Sequence, residues 1–105
     1  MNQTQIDKCE KIFNHYGREK QLVQLQEELG ELQAAVAREI AGKGNNMNEE
    51  LADVAIMVEQ FIHSDSETEQ DINELIQYKL NRQHRRIFAE GYKNENNNQS
   101  NNPHN

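Results

Sequence analysis

The chain has 105 residues, of which 34% are hydrophobic and 28% charged, with a formal net charge of -7 and a mean hydropathy of -1.07. That length fits one domain, and the acidity excludes a general nucleic-acid-polymer binder, which carries a dominant basic face. A single cysteine, Cys9, excludes an intrachain disulfide, and no apolar run approaches the ~18 residues of a membrane span.

Four helices are expected in chain order. The first runs from Thr4 to Tyr16, with Ile6, Cys9, Ile12 and Phe13 on one side, and Gly17 ends it. Cys9 reads as a small buried apolar residue, because nothing near it in sequence would activate a thiolate. The second helix runs from Arg18 to Ile40. Its apolar residues Leu22, Leu25, Leu29, Leu32, Val36 and Ile40 recur at three- and four-residue steps. Gly42-Lys43-Gly44-Asn45-Asn46 breaks it. Asn46 with Glu49 makes a capping-box pattern for a third helix from Met47 to about His63. A fourth begins after Asp65 or Ser66, with Ser66 and Glu69 as a second capping-box pattern, and continues to about Tyr92. From Asn94 onward seven of twelve residues are asparagine. The domain is therefore placed at residues 1–92, with 93–105 as a disordered tail. The first residues lack a signal-peptide pattern, so a cytoplasmic setting is expected. A chain this small and polar makes a thin core alone, so self-association is expected too.

Most of the functional information lies in four carboxylates. Glu28 and Glu31 sit three residues apart, and so do Glu50 and Asp53. That spacing puts both members of a pair about 60° apart on one helical face. From Leu51 to Ile62 nine of twelve residues are apolar, and a helix apolar nearly all round is buried nearly all round. Asp53, with Glu50 and Gln60 on the same strip, interrupts that surface. On the second helix Gln21, Gln24, Glu28 and Glu31 share a strip, with Ala35 leaving room beside them. Glycine in a helix interior costs about 1 kcal/mol relative to alanine, so Gly30 suggests close approach of another element. Two such acidic faces brought together make a four-carboxylate cage, and gathered like charges need cations. Oxygen donors alone point to a hard ion, Mg²⁺ before Mn²⁺.

The fourth helix carries the only basic cluster, Lys79 to Arg86. Lys79 projects from its apolar stripe with Arg82 nearby, where both could meet substrate phosphates. Arg85 and Arg86 read as surface cations. No Glu-x-x-His pattern occurs, so the ferritin-like di-iron arrangement is absent.

Glu27-Glu28-Leu29-Gly30-Glu31, eighteen intervening residues, then Glu50-Leu51-Ala52-Asp53 resembles the EExxE…ExxD signature of MazG-like all-α nucleoside triphosphate pyrophosphohydrolases. The stretch Gln24 to Phe61 and the segment Tyr78-Lys79-Leu80-Asn81-Arg82 are similar to small single-domain members of the phage and Firmicutes type. The likeness covers roughly residues 15 to 88. It implies a four-helix MazG-like bundle completed by oligomerisation to a dimer or tetramer. It further implies Mg²⁺-dependent hydrolysis of a (deoxy)nucleoside triphosphate between the α and β phosphates, releasing the monophosphate and pyrophosphate. By the same likeness Glu28, Glu31, Glu50 and Asp53 would bind the metal. Glu27 would orient water or hold a second ion. Glu28 or Glu31 would serve as the base. Gln21, Gln24 and Gln60 would orient substrate or water, and Lys79 and Arg82 would hold the outgoing phosphates. Two alternatives stay open: a phosphoribosyl-ATP type of pyrophosphohydrolase, and a non-catalytic helical interaction module whose acids form a solvated surface.

Overall fold

A computed structural model describes the backbone of residues 1–101 and side chains through residue 91. Four helices form: α1 (Gln3–Tyr16), α2 (Arg18–Ile40), α3 (Met47–Ile62) and α4 (Ser66–Asn101). No strand occurs among the described residues. The fold is all-α, as the sequence predicts. The chain divides into two compact units, Met1–Glu69 and Gln70–Asn105. The backbone of α4 passes the end expected near Tyr92. The tail expectation concerns residues whose side chains, and for 102–105 whose backbone, lie outside the described set.

In the first unit α2 packs along α3, and α1 lies against both. The core is small: Cys9, Phe13, Ala35 and Met57 are its buried apolar residues. Phe13 meets Phe61 edge-to-face with ring centroids 5.2 Å apart, an arrangement worth about 0.5–1.5 kcal/mol beyond area burial. The Arg18 guanidinium covers the Phe61 ring from 5.4 Å, so the start of α2 is tied to the end of α3. Ala35 is fully buried. It is a packing position where the helices approach, not the cavity-lining gap expected from sequence. Burial pushes the Cys9 thiol above its usual range, with nearby Glu59 adding to the effect. This agrees with the inert reading of that residue.

The joints are local chemistry. Gly17 alone separates α1 from α2, with φ 87° and ψ 159°, a region only glycine occupies at low cost. Its N–H donates to Phe13 O at 2.8 Å and its carbonyl accepts from Gln21 N–H at 3.1 Å. One residue thus closes one helix and opens the next. At the end of α2, Gly42 has φ 74°. Gly42 N–H donates to Glu39 O at 3.0 Å and Lys43 N–H to Arg38 O at 2.9 Å, a Schellman closure.

Three local expectations are corrected. Asn46 precedes α3 but its side chain makes no capping bond to the backbone. Asp65, not Ser66, caps α4: its carboxylate accepts from Thr68 N–H at 2.7 Å and from the Thr68 hydroxyl at 2.9 Å. Asp65 stands one residue ahead of Ser66 and reaches the third helical position with a charged acceptor. The third correction is burial. α3 is not covered all round: Leu51, Ile56 and Val58 are exposed, and only Met57 and Gln60 are buried. Two neighbouring helices cover two faces of a third: Val54, Phe61 and Ile62 are half-covered, while Leu51, Ala52, Ala55, Ile56 and Val58 stay exposed.

Candidate metal centre and cleft

α2 and α3 lie side by side, so their acidic strips meet. Glu28, Glu31, Glu50 and Asp53 each offer a carboxylate oxygen, and the four oxygens lie within 4.8 Å of one another. Glu28 and Glu50 are half-buried while Glu31 and Asp53 are exposed. The acids converge as the spacing predicts, but in an open-sided cage and not in a dry pocket. Two unit charges about 5 Å apart repel by roughly 1 kcal/mol in bulk water and 3–4 kcal/mol near a protein surface. Four gathered carboxylates call for a compensating cation.

The supports of the two half-buried acids are alike. Gln24 Nε2 donates to Glu28 Oε1 at 2.9 Å. Asn46 Nδ2 donates to Glu50 Oε1 at 3.3 Å, and Asn46 Oδ1 accepts from Arg38 Nη2 at 3.1 Å. In each case an amide four residues upstream holds one carboxylate oxygen. The other oxygen, Oε2 of both Glu28 and Glu50, is buried without any hydrogen-bond partner. A buried orphan acceptor costs about 1–3 kcal/mol, more when charged, unless a ligand completes it. The donor set is all carboxylate oxygen, without histidine or cysteine, which suits Mg²⁺ or Mn²⁺. Opposite ligands of an octahedral Mg²⁺ stand about 4.2 Å apart, so the acids are spread on the scale of such a shell. The residues fit a hard divalent ion.

A cleft of about 800 Å³ opens beside the cage, with Glu28 and Asp53 at its edge. Ile12, Tyr16, Val23, Ile56 and Met57 give it apolar walls, and Lys20 brings a cation to its lining. Gln21, Gln24 and Gln60 line it too. Gln21 and Gln60 are buried, 5% and 1% exposed, and Gln21 Nε2 donates to Gln60 Oε1 at 2.7 Å. Gln60 Nε2 contacts Met57 Sδ at 3.5 Å. A satisfied amide pair of this kind contributes about 1 kcal/mol and locks α2 to α3.

Glu27 is exposed and outside the converging group. Lys79 is exposed on α4, and the Arg82 guanidinium stands 5.7 Å over the Tyr78 ring. Both belong to the second unit. Gly30 meets nothing within 4 Å of where a Cβ would stand, so it does not serve close approach of another element among the described residues. Sequence reasoning missed Asn46 and Arg38 as supports of Glu50. The signal was present: Asn46 precedes Glu50 by the same four residues that separate Gln24 from Glu28.

An all-helical chain that gathers two carboxylates from each of two neighbouring helices, next to a largely apolar cleft, has the build of a site for a hard cation with an organic ligand alongside. A family model, the MazG nucleotide pyrophosphohydrolase domain, matches residues 17–88, which contain all four of these acids. The chain belongs to that family. No curated protein matches it, and no solved structure does.

Proposed function

We propose that this chain hydrolyses (deoxy)nucleoside triphosphates to the monophosphate and pyrophosphate, using Mg²⁺ held by Glu28, Glu31, Glu50 and Asp53. The observation that carries the reading is the convergence of four carboxylate oxygens within 4.8 Å, two of the acids having a sealed, unpartnered oxygen. Membership of a nucleotide pyrophosphohydrolase family supports the same reaction.

When bound, divalent ions would supply charge neutralisation at the phosphates and acidify the attacking water. The protein's own part is positional. Gln24 and Asn46 fix the headings of Glu28 and Glu50, which is how outer groups tune a metal site. A carboxylate of the Glu28–Glu31 pair takes the proton from the attacking water. The apolar walls of the cleft receive the nucleoside and exclude water beside the phosphates. Lys20, in the cleft lining, supplies a point charge for a phosphate oxygen.

Self-association belongs to this proposal. Leu22 and Leu29 on α2, with Leu51 and Val58 on α3, are exposed in the single chain. Covering them would thicken a core that four buried apolar side chains leave thin.

The test is pyrophosphate release from each dNTP and NTP with Mg²⁺, repeated with Glu50→Gln and Asp53→Asn. The wild type should release pyrophosphate from at least one nucleotide, and each variant should lose about 100-fold or more of that rate. Release from none of them, or equal rates in the variants, would defeat the reading.

A further inference from the structure

The floor of the cleft holds a buried amide pair whose polarity is fixed. Gln21 Nε2 donates to Gln60 Oε1 at 2.7 Å, and Gln60 Nε2 faces Met57 Sδ at 3.5 Å. Turning either amide alone sets two donors or two acceptors against each other. Turning both points Gln60 Oε1 at the thioether, with no donor to meet it. Gln60 is 1% exposed, so water does not reach that oxygen, and a buried acceptor without a partner is costly. Gln21 is therefore held with its NH₂ toward Gln60 and its Oε1 free. That oxygen has no hydrogen-bond partner among the described residues, and unlike the second oxygens of Glu28 and Glu50 it is not sealed. Gln21 lines the cleft, so its Oε1 is an acceptor presented to the occupant.

Distance from the acid cage decides which part of a nucleotide meets it. Gln21 precedes Glu28 by seven residues on α2, and Gln60 follows Asp53 by seven on α3. Seven residues are about two turns, so each amide lies on the same face as its acid and about 10 Å along the helix from it. With the phosphates at the cage, the sugar hydroxyls of a nucleotide fall short of that distance, and the edge of its base reaches it. We infer that Gln21 Oε1 accepts a hydrogen bond from an N–H on the edge of the bound base, and that Gln60 is the positioning residue that keeps it an acceptor. This rests on the nucleotide reading above. The favoured substrates are purine or pyrimidine nucleotides whose base edge carries a donor, either an exocyclic amino group or a ring N–H. A base edge with acceptors alone sets its lone pairs against Oε1 and is rejected.

The experiment compares the nucleotide hydrolysed fastest with an analogue whose base has no donor. For a purine this is purine riboside triphosphate, and for a pyrimidine it is pyrimidin-2-one riboside triphosphate, each with the matching sugar. A counterpart short of one sugar hydroxyl is the control. The donor-free analogue should lose about tenfold or more in kcat/KM. Gln21→Leu should bring the natural nucleotide and its analogue to the same value, a change of ratio that a merely structural role for Gln21 would not produce. Equal values in the wild type, or an unchanged ratio in a variant that melts like wild type, overturn the inference. A loss that follows the missing hydroxyl and not the base, and that Gln21→Leu abolishes, overturns the assignment to the base. If Gln21→Leu does not fold, ¹⁵N-labelled wild type decides. The Gln21 side-chain NH₂ resonances should then move with the natural monophosphate and stay still with its donor-free analogue, and equal movement with both overturns the inference. Pyrophosphate release without this discrimination defeats only the inference, whereas a wild type that hydrolyses no nucleotide defeats the reading beneath it.

Discussion

Asn46 Nδ2 donates to Glu50 Oε1 at 3.3 Å at the start of α3, repeating what Gln24 does for Glu28 at 2.9 Å on α2. Each amide commits one carboxylate oxygen and leaves the other free for a ligand. Because Asn46 makes no capping bond to the backbone, replacing it should cost the fold little. Asn46→Ala and Gln24→Ala should each weaken metal affinity about 10–100-fold, with much of the rate restored at saturating Mg²⁺. The check is pyrophosphate release against Mg²⁺ concentration, with direct Mn²⁺ binding as a second readout. An unchanged half-saturation point would remove both amides from the metal site.

Metal removal should destabilise the fold, because the four acids then repel without compensation. A ligand at 100 times its Kd stabilises by about 2.7 kcal/mol. Thermal melts of chelator-stripped protein should therefore rise by several degrees on adding Mg²⁺. Asp53→Asn should melt higher than wild type when stripped and respond less to the ion. A melt indifferent to Mg²⁺ in both proteins would mean that the cluster does not bind it.

Two glycines should respond in opposite directions to alanine. Gly17→Ala forces a side chain into φ 87°, ψ 159° and should cost about 1–3 kcal/mol in urea unfolding. Gly30 sits inside α2 with nothing within 4 Å of a new Cβ, so Gly30→Ala should stabilise by up to about 1 kcal/mol. A loss of stability at Gly30, appearing only in the assembled form, would place that face at a subunit contact.

The cap on α4 sets an acid limit. Hydrogen bonds from Thr68, chiefly its backbone N–H, hold the Asp65 carboxyl below its ordinary value of 3.8. A carboxyl lowered by folding adds stability that is fully present above the unfolded value and fades as pH falls through the folded one. The melting difference between wild type and Asp65→Ala should thus be constant from neutral pH down to about pH 5 and shrink below about pH 4. A difference that grows on acidification would contradict the cap.

The number and order of the helices, and their approximate ends apart from the C-terminal end of α4, were legible in the sequence, as was the acid quartet. These depend on local quantities: a 3.6-residue apolar period, glycine at joints, and a three-residue acid spacing that any helix turns into one face. Which partner a polar side chain takes was not legible, because neighbours in sequence and neighbours in space compete for it. Asn46 had the position of a cap and went instead to Arg38 and Glu50. Ser66 had a capping pattern, and Asp65 took the role. Gln21 and Gln60 share polar strips with the acids but bond to each other across a sequence separation of 39 residues. Burial was the other unknown. Periodicity says which face of α3 is apolar, whereas only the placement of α1 and α2 decides which of those side chains are covered and leaves Leu51, Ile56 and Val58 in solvent.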